Sequence, residues 1–184
     1  MRPLHADLPA LIVSGGALVA NGSTPFITGQ RLQVAVLTDF CNECGNCVTA
    51  CPTSGTPYRD KPRLYLDRAD FEAQSSNAFM LLGNGVMEAR FAGRTHRIAA
   101  HAPAAVDGHN GRIDYTAPGF RAVLHRDTLA LVEAIPTGAA EGETLSLQPA
   151  AVMATLLAGV TGSLPHIPTA SAGGSRVAHP GYAE

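Results

Sequence analysis

The 184-residue sequence has no tryptophan, and only 5 per cent of it is aromatic and 15 per cent charged. With apolar residues at 46 per cent but much of that share alanine, the expected core is modest in volume. Thirteen Lys and Arg against fifteen Asp and Glu leave a net charge of −2, with no concentrated basic patch, which excludes nucleic acid as a partner. No apolar run approaches the ~20 residues that cross a bilayer, so no membrane span is expected. The amino-terminal run Ala10 to Ala20 behind Arg2 makes a poor signal peptide: Asp7, Pro9, Gly15 and Gly16 interrupt it, and Leu18 breaks the small-residue rule before a cut after Ala20. A cytoplasmic protein is expected. Nucleotide loops are missing too, since Gly15, Gly16 and Gly22 match neither the dinucleotide fingerprint nor the P-loop. No nucleophile with a base can be argued, so no catalytic residue is assigned. The seven histidines, His96, His101, His109 and His125 among them, lack the spacing of a metal site and read as surface or loop residues. Cysteine is absent everywhere except between residues 41 and 51.

That one stretch carries the chemistry. In Asp39-Phe40-Cys41-Asn42-Glu43-Cys44-Gly45-Asn46-Cys47-Val48-Thr49-Ala50-Cys51-Pro52, two residues separate each of the first three cysteines, three precede the fourth, and proline follows. This is the bacterial ferredoxin run that ligates a 4Fe-4S cluster. Thiolates so spaced can wrap one corner of a cubane if the backbone between them turns freely, which Gly45 permits. Zinc sites usually split four thiolates into two separated pairs, and disulfides suit small secreted frameworks; neither pattern fits. The cofactor ligands are therefore Cys41, Cys44, Cys47 and Cys51. In two-cluster ferredoxins the fourth cysteine of such a run serves the other cluster, and this chain has no second run. Three arrangements follow: a cluster with an open corner, a cubane closed by all four thiolates, or completion by another polypeptide. The third is favoured, including a symmetric form in which two copies exchange their Cys51 thiolates across a twofold axis.

Along the chain the fold class reads as α+β: a ferredoxin-type iron-sulfur loop module, then a small β-hairpin region and one or two carboxy-terminal helices. Residues 1–38 look like short strands, with a hairpin turn at Asn21-Gly22 and a half-buried strand from Arg31 to Leu37. Residues 39–66 form the cluster module, with one helical turn at Val48-Thr49-Ala50 ended by Pro52 and a strand from Lys61 to Leu66. Tyr58 reads as ordinary packing, with shielding of a cluster face as the alternative. Arg59, Lys61 and Arg63 read as a solvated face, with steering of an acidic redox partner as the alternative. Residues 67–161 form a small α+β domain. Within it Phe71 and Phe79 to Leu82 are the apolar centre, and turns at Gly83-Asn84-Gly85 and Ala92-Gly93-Arg94 bracket a strand from Val86 to Phe91, paired with Thr95 to Ala99. A helical face is expected between Phe120 and Ile135, capped by Asp127 or Thr128, then a turn-rich linker from Thr137 to Thr144. Pro149 to Val160 is the clearest helix, and residues 162–184 read as a flexible tail.

The string from Asp39 to Cys47, with Cys51-Pro52, Gly55 to Pro62, Asp70-Phe71, Ser75-Ser76-Asn77 and Phe79, resembles the carboxy-terminal end of a family named as the selenate reductase iron-sulfur subunit, related to the small flavin-carrying subunit of glutamate synthase. The resemblance is specific over residues 31–82, loose to 100 and faint at 149–160. It implies that Cys41, Cys44 and Cys47 hold one cluster while Cys51 reaches toward another. Members of that family carry FAD and NAD(P)H domains and a further cysteine run ahead of this region, where this sequence has the cysteine-free residues 1–38. The expected function is an electron-transfer module, a part or small subunit of an oxidoreductase, that receives electrons from a flavoprotein or other redox subunit. A structural or vestigial module, tied together by its cluster, is the competing class. An enzyme binding substrate at an open iron is the third.

Overall fold

The computed structural model describes residues 5–29, 34–50, 55–102 and 111–163. β1 (His5–Ser14) and β2 (Ala17–Ile27) form a long antiparallel hairpin. Its turn is Gly15-Gly16, with φ of +60° and +77°, as a two-residue turn with both central residues left-handed requires. The turn expected at Asn21-Gly22 is instead a bulge. Pro9 pairs with Ser23 and Leu11 with Ala20, so Asn21 and Gly22 (φ +85°) together face Ala10 alone. A bulge and a tight turn both call for positive φ, which is why the dipeptide signal does not tell them apart.

β3 (Val36–Leu37), a 3-10 turn (Thr38–Phe40), α1 (Asn46–Ala50), α2 (Pro57–Asp60), β4 (Arg63–Tyr65) and α3 (Arg68–Glu72) follow. Asp67 caps α3, its Oδ1 accepting from the Ala69 and Asp70 amides. Then come β5 (Ala78–Gly83), β6 (Val86–Phe91), β7 (Arg94–Ala100), β8 (Arg112–Ala117), β9 (Phe120–His125), β10 (Leu131–Pro136), β11 (Thr144–Leu145) and α4 (Gln148–Ser163). The β5–β6 and β6–β7 turns lie at the expected residues, with Asn84 and Ala92 at φ +51° and +49° beside their glycines.

Two sheets result: an eight-stranded one in the order β10-β9-β8-β7-β6-β5-β4-β3, and a three-stranded one in the order β11-β1-β2. The pairs β3–β4 and β4–β5 are parallel and the remaining pairs antiparallel, so α3 and its flanking turns carry the crossover between β4 and β5. The fold is α+β, and among the described residues the hairpin region is larger than expected and is followed by one carboxy-terminal helix.

Phe120 to Ile135 corrects the expectation of a helix. It is the β9–β10 hairpin, and neither Asp127 nor Thr128 caps a helix. Phe120, Ala122 and Leu124 are buried at a period of two, and Leu129 takes φ +58° in the turn. The leucine spacing matched part of a helical face, but ladder bonds to β8 outweigh that local preference.

One buried cluster joins Leu8, Leu11 and Val13 of β1 to Leu64, Phe79, Ile98, Tyr115 and the α4 residues Met153 and Leu157. The amino-terminal strands thus share a core with the carboxy-terminal helix. Alanines 150, 151 and 154 on the buried side of α4 let the helix lie close to β6 and β7. A smaller cluster, Tyr65, Phe71, Ala78 and Met80, fills the opposite face under α3. β5 is therefore covered on both faces, which accounts for its unbroken apolar run. Among the described residues no helix is long and apolar enough to cross a membrane.

Candidate metal centre

The cysteine loop leaves the sheet at β3, the edge strand beside β4. Leu37 pairs with Leu64, and the 3-10 turn Thr38–Phe40 leads straight into Cys41, whose amide donates to the Thr38 carbonyl at 3.0 Å. Two side chains latch this turn to the end of β4. Asp39 Oδ2 accepts from the Leu66 amide at 3.0 Å, and Thr38 Oγ1 donates to the Leu64 carbonyl at 3.0 Å.

Beyond Cys41 the backbone reverses twice through left-handed residues, Glu43 at φ +53° and Gly45 at φ +81°. Gly45 supplies the freedom read from the sequence. Glu43 adds a second left-handed position that composition alone did not mark, since a non-glycine residue there costs roughly 1–2 kcal/mol. Asn42 Oδ1 accepts the Cys44 amide at 3.3 Å, and the Val48 amide returns to the Gly45 carbonyl at 2.9 Å, opening α1. The helical turn expected at Val48-Thr49-Ala50 lies within α1.

All three described cysteines are free thiols; Cys44 and Cys47 are exposed and Cys41 is partly covered. Cys51 and the expected strand residues 31–33 lie outside the described residues. Among the described residues no three His, Cys, Asp or Glu side chains converge on a single ion. A cubane asks for something else: soft thiolate donors in the C-x-x-C-x-x-C spacing, each binding its own iron. The loop fits a cluster better than a mononuclear site.

Its surroundings mix charge. Burial raises the Tyr65 phenol above its ordinary value; Arg63 works against this, while Glu43, Asp70 and Asp39 add to it. Arg63 is held in place by neutral neighbours. Its guanidinium lies 5.6 Å from the Tyr65 ring centroid and donates to Gln74 Oε1 at 3.0 Å. Arg59 lies over the Tyr58 ring at 5.4 Å. Exposed Phe40 and Val48 flank the thiols.

The histidines divide. His101 is exposed and pairs with Asp114 at 2.8 Å, whereas His109 lies outside the described residues. His96 departs from the surface reading. It packs between Phe91 and Tyr115 on the inner face of the sheet, its Nδ1 2.6 Å from the Tyr115 hydroxyl. Burial, with Arg94 beside it, lowers its pKa to about 4, and burial raises the Tyr115 phenol. The alternation of β7 holds the only trace of this in the sequence, because His96 shares a strand face with Ile98.

A 4Fe-4S binding domain family matches residues 34–54. Over 52 residues the chain is 41 per cent identical to "Putative oxidoreductase YgfK" of Escherichia coli strain K12, a stretch covering 28 per cent of this chain and 5 per cent of that protein. The protein of the same description from Escherichia coli O157:H7 matches to the same extent. The chain thus spans a small part of the length of these relatives. No solved structure matches it. The exposed thiol loop and the family match agree, and the cofactor of this chain is a 4Fe-4S cluster.

Proposed function

We propose that this chain is an iron-sulfur electron-transfer module or subunit that passes single electrons between a flavoprotein reductase and a terminal acceptor. The carrying observation is the cysteine loop: three free thiols on an exposed segment, latched to the edge of a rigid sheet. When bound, the cluster supplies reversible one-electron chemistry. The chain's residues hold it at the surface, within reach of a partner. The likeness to a protein described as an oxidoreductase, of which the chain matches 5 per cent, supports a redox role. On the resemblance to the selenate reductase iron-sulfur subunit, that partner is a flavoprotein. Cys51 then completes a cluster either with that partner or, across a twofold axis, with a second copy.

Anaerobic redox titration of the reconstituted protein tests the reading. A reversible one-electron signal is expected; a cluster that cannot be reduced without falling apart refutes transfer and favours a scaffold that the cluster ties together. Iron counting with native mass measurement tests completion. A monomer with four irons per chain refutes the exchange of Cys51.

A further inference from the structure

Resting on the electron-transfer reading, we infer that Asp39 is a positioning residue for the cluster: its carboxylate latches the first ligand to the sheet and holds a negative charge beside it. Cys41 cannot move independently of the turn before it, because its amide donates to the Thr38 carbonyl at 3.0 Å. That turn is fixed at two points on either side of Tyr65, by Asp39 Oδ2 to the Leu66 amide and by Thr38 Oγ1 to the Leu64 carbonyl. Thr38 Oγ1 also lies 3.4 Å from Asp39 Oδ2, so the two latches are in contact with each other. The anchoring strand is rigid: Leu64 and Tyr65 are 2 and 5 per cent exposed, and β4 is paired on both sides.

The charge matters as much as the bond. Glu88 is clasped between Arg68 and Arg97, but among the described residues no Lys or Arg forms an ion pair with Asp39. A fixed negative charge two residues from a ligand disfavours adding an electron to the cluster. It therefore lowers the potential.

Three variants separate bond from charge. Asp39→Asn keeps an acceptor oxygen and removes the charge; Asp39→Ala removes both; Thr38→Val removes the second latch with the charge intact. Each is reconstituted anaerobically and measured for midpoint potential at low and high salt and for the rate of iron loss to a chelator. Asp39→Asn is expected to raise the potential, by up to a tenfold change in the oxidised-to-reduced ratio, ~59 mV for one electron, with the shift shrinking as salt screens it. Thr38→Val is expected to lose iron severalfold faster at an unchanged potential, and Asp39→Ala to show both effects. Wild-type potential in Asp39→Asn overturns the charge role, and wild-type iron retention in Asp39→Ala overturns the latch. Should Asp39→Ala fail to fold, the near-isosteric Asp39→Asn still decides the charge role and Thr38→Val the anchoring of the turn. If even the wild type shows no reversible reduction, electron transfer fails as a reading, while iron retention still tests the latch.

Discussion

Mild acid should weaken the inner sheet through His96. The ring is packed against Phe91 and Tyr115 and hydrogen-bonded to the Tyr115 hydroxyl, with Nδ1 and oxygen 2.6 Å apart. Its pKa is lowered from 6.5 to about 4 by burial and by the Arg94 charge. The sign follows from linkage. Below pH 6.5 the unfolded chain takes up a proton that the folded chain refuses until about pH 4, so stability falls across that window as pH drops. At ~1.4 kcal/mol per pH unit the ceiling is about 3 kcal/mol, of which ~2 kcal/mol would be lost by pH 5. Residual solvent contact of the ring cuts the expected loss at pH 5 to about 1 kcal/mol. Acid also strips iron-sulfur clusters, so the assay compares wild type with His96→Gln, in which cluster loss is common to both. Urea unfolding followed by circular dichroism at about pH 7.5 and pH 5 should show the wild type losing more stability than the variant. Parallel losses in the two proteins would refute the argument, and with it the packing of His96 against Tyr115.

Four other outcomes are expected. Cys44→Ser and Cys47→Ser should each lower the iron bound per chain and leave the sheet folded, as read by iron analysis beside circular dichroism. In Gly45→Ala the added Cβ meets nothing within 4 Å, so only the left-handed backbone (φ +81°) resists, at roughly 1–2 kcal/mol; slower reconstitution of the cluster is the outcome to look for. Gly85→Ala also has positive φ, but its Cβ would lie 2.9 Å from the Ala100 carbonyl oxygen, so a drop in melting temperature is expected with cluster binding intact. Met153→Ala, at a fully buried position on α4, should cost about 2–5 kcal/mol of unfolding free energy in denaturant titration.

What the sequence determined by itself was local. Four cysteines in one short run name their cofactor because ligand spacing is a property of neighbouring residues, and Gly45 marks the loop for the same reason. The β5–β6 and β6–β7 turns and α4 were legible on the same terms, through glycine punctuation and a stripe ending at Val160. Tertiary structure decided whatever depends on distant partners. The leucines between 120 and 135 suit a partial helix until β8 offers its ladder, and Asn21-Gly22 suits a turn until Ala10 faces both residues. Asp39 looks like any polar residue before a motif until Leu66 comes within 3.0 Å of it, and His96 looks exposed until the Tyr115 ring stacks on it. Ligand identity survives as pattern because it needs only adjacency, whereas burial, register and latching require residues far apart in the chain to meet.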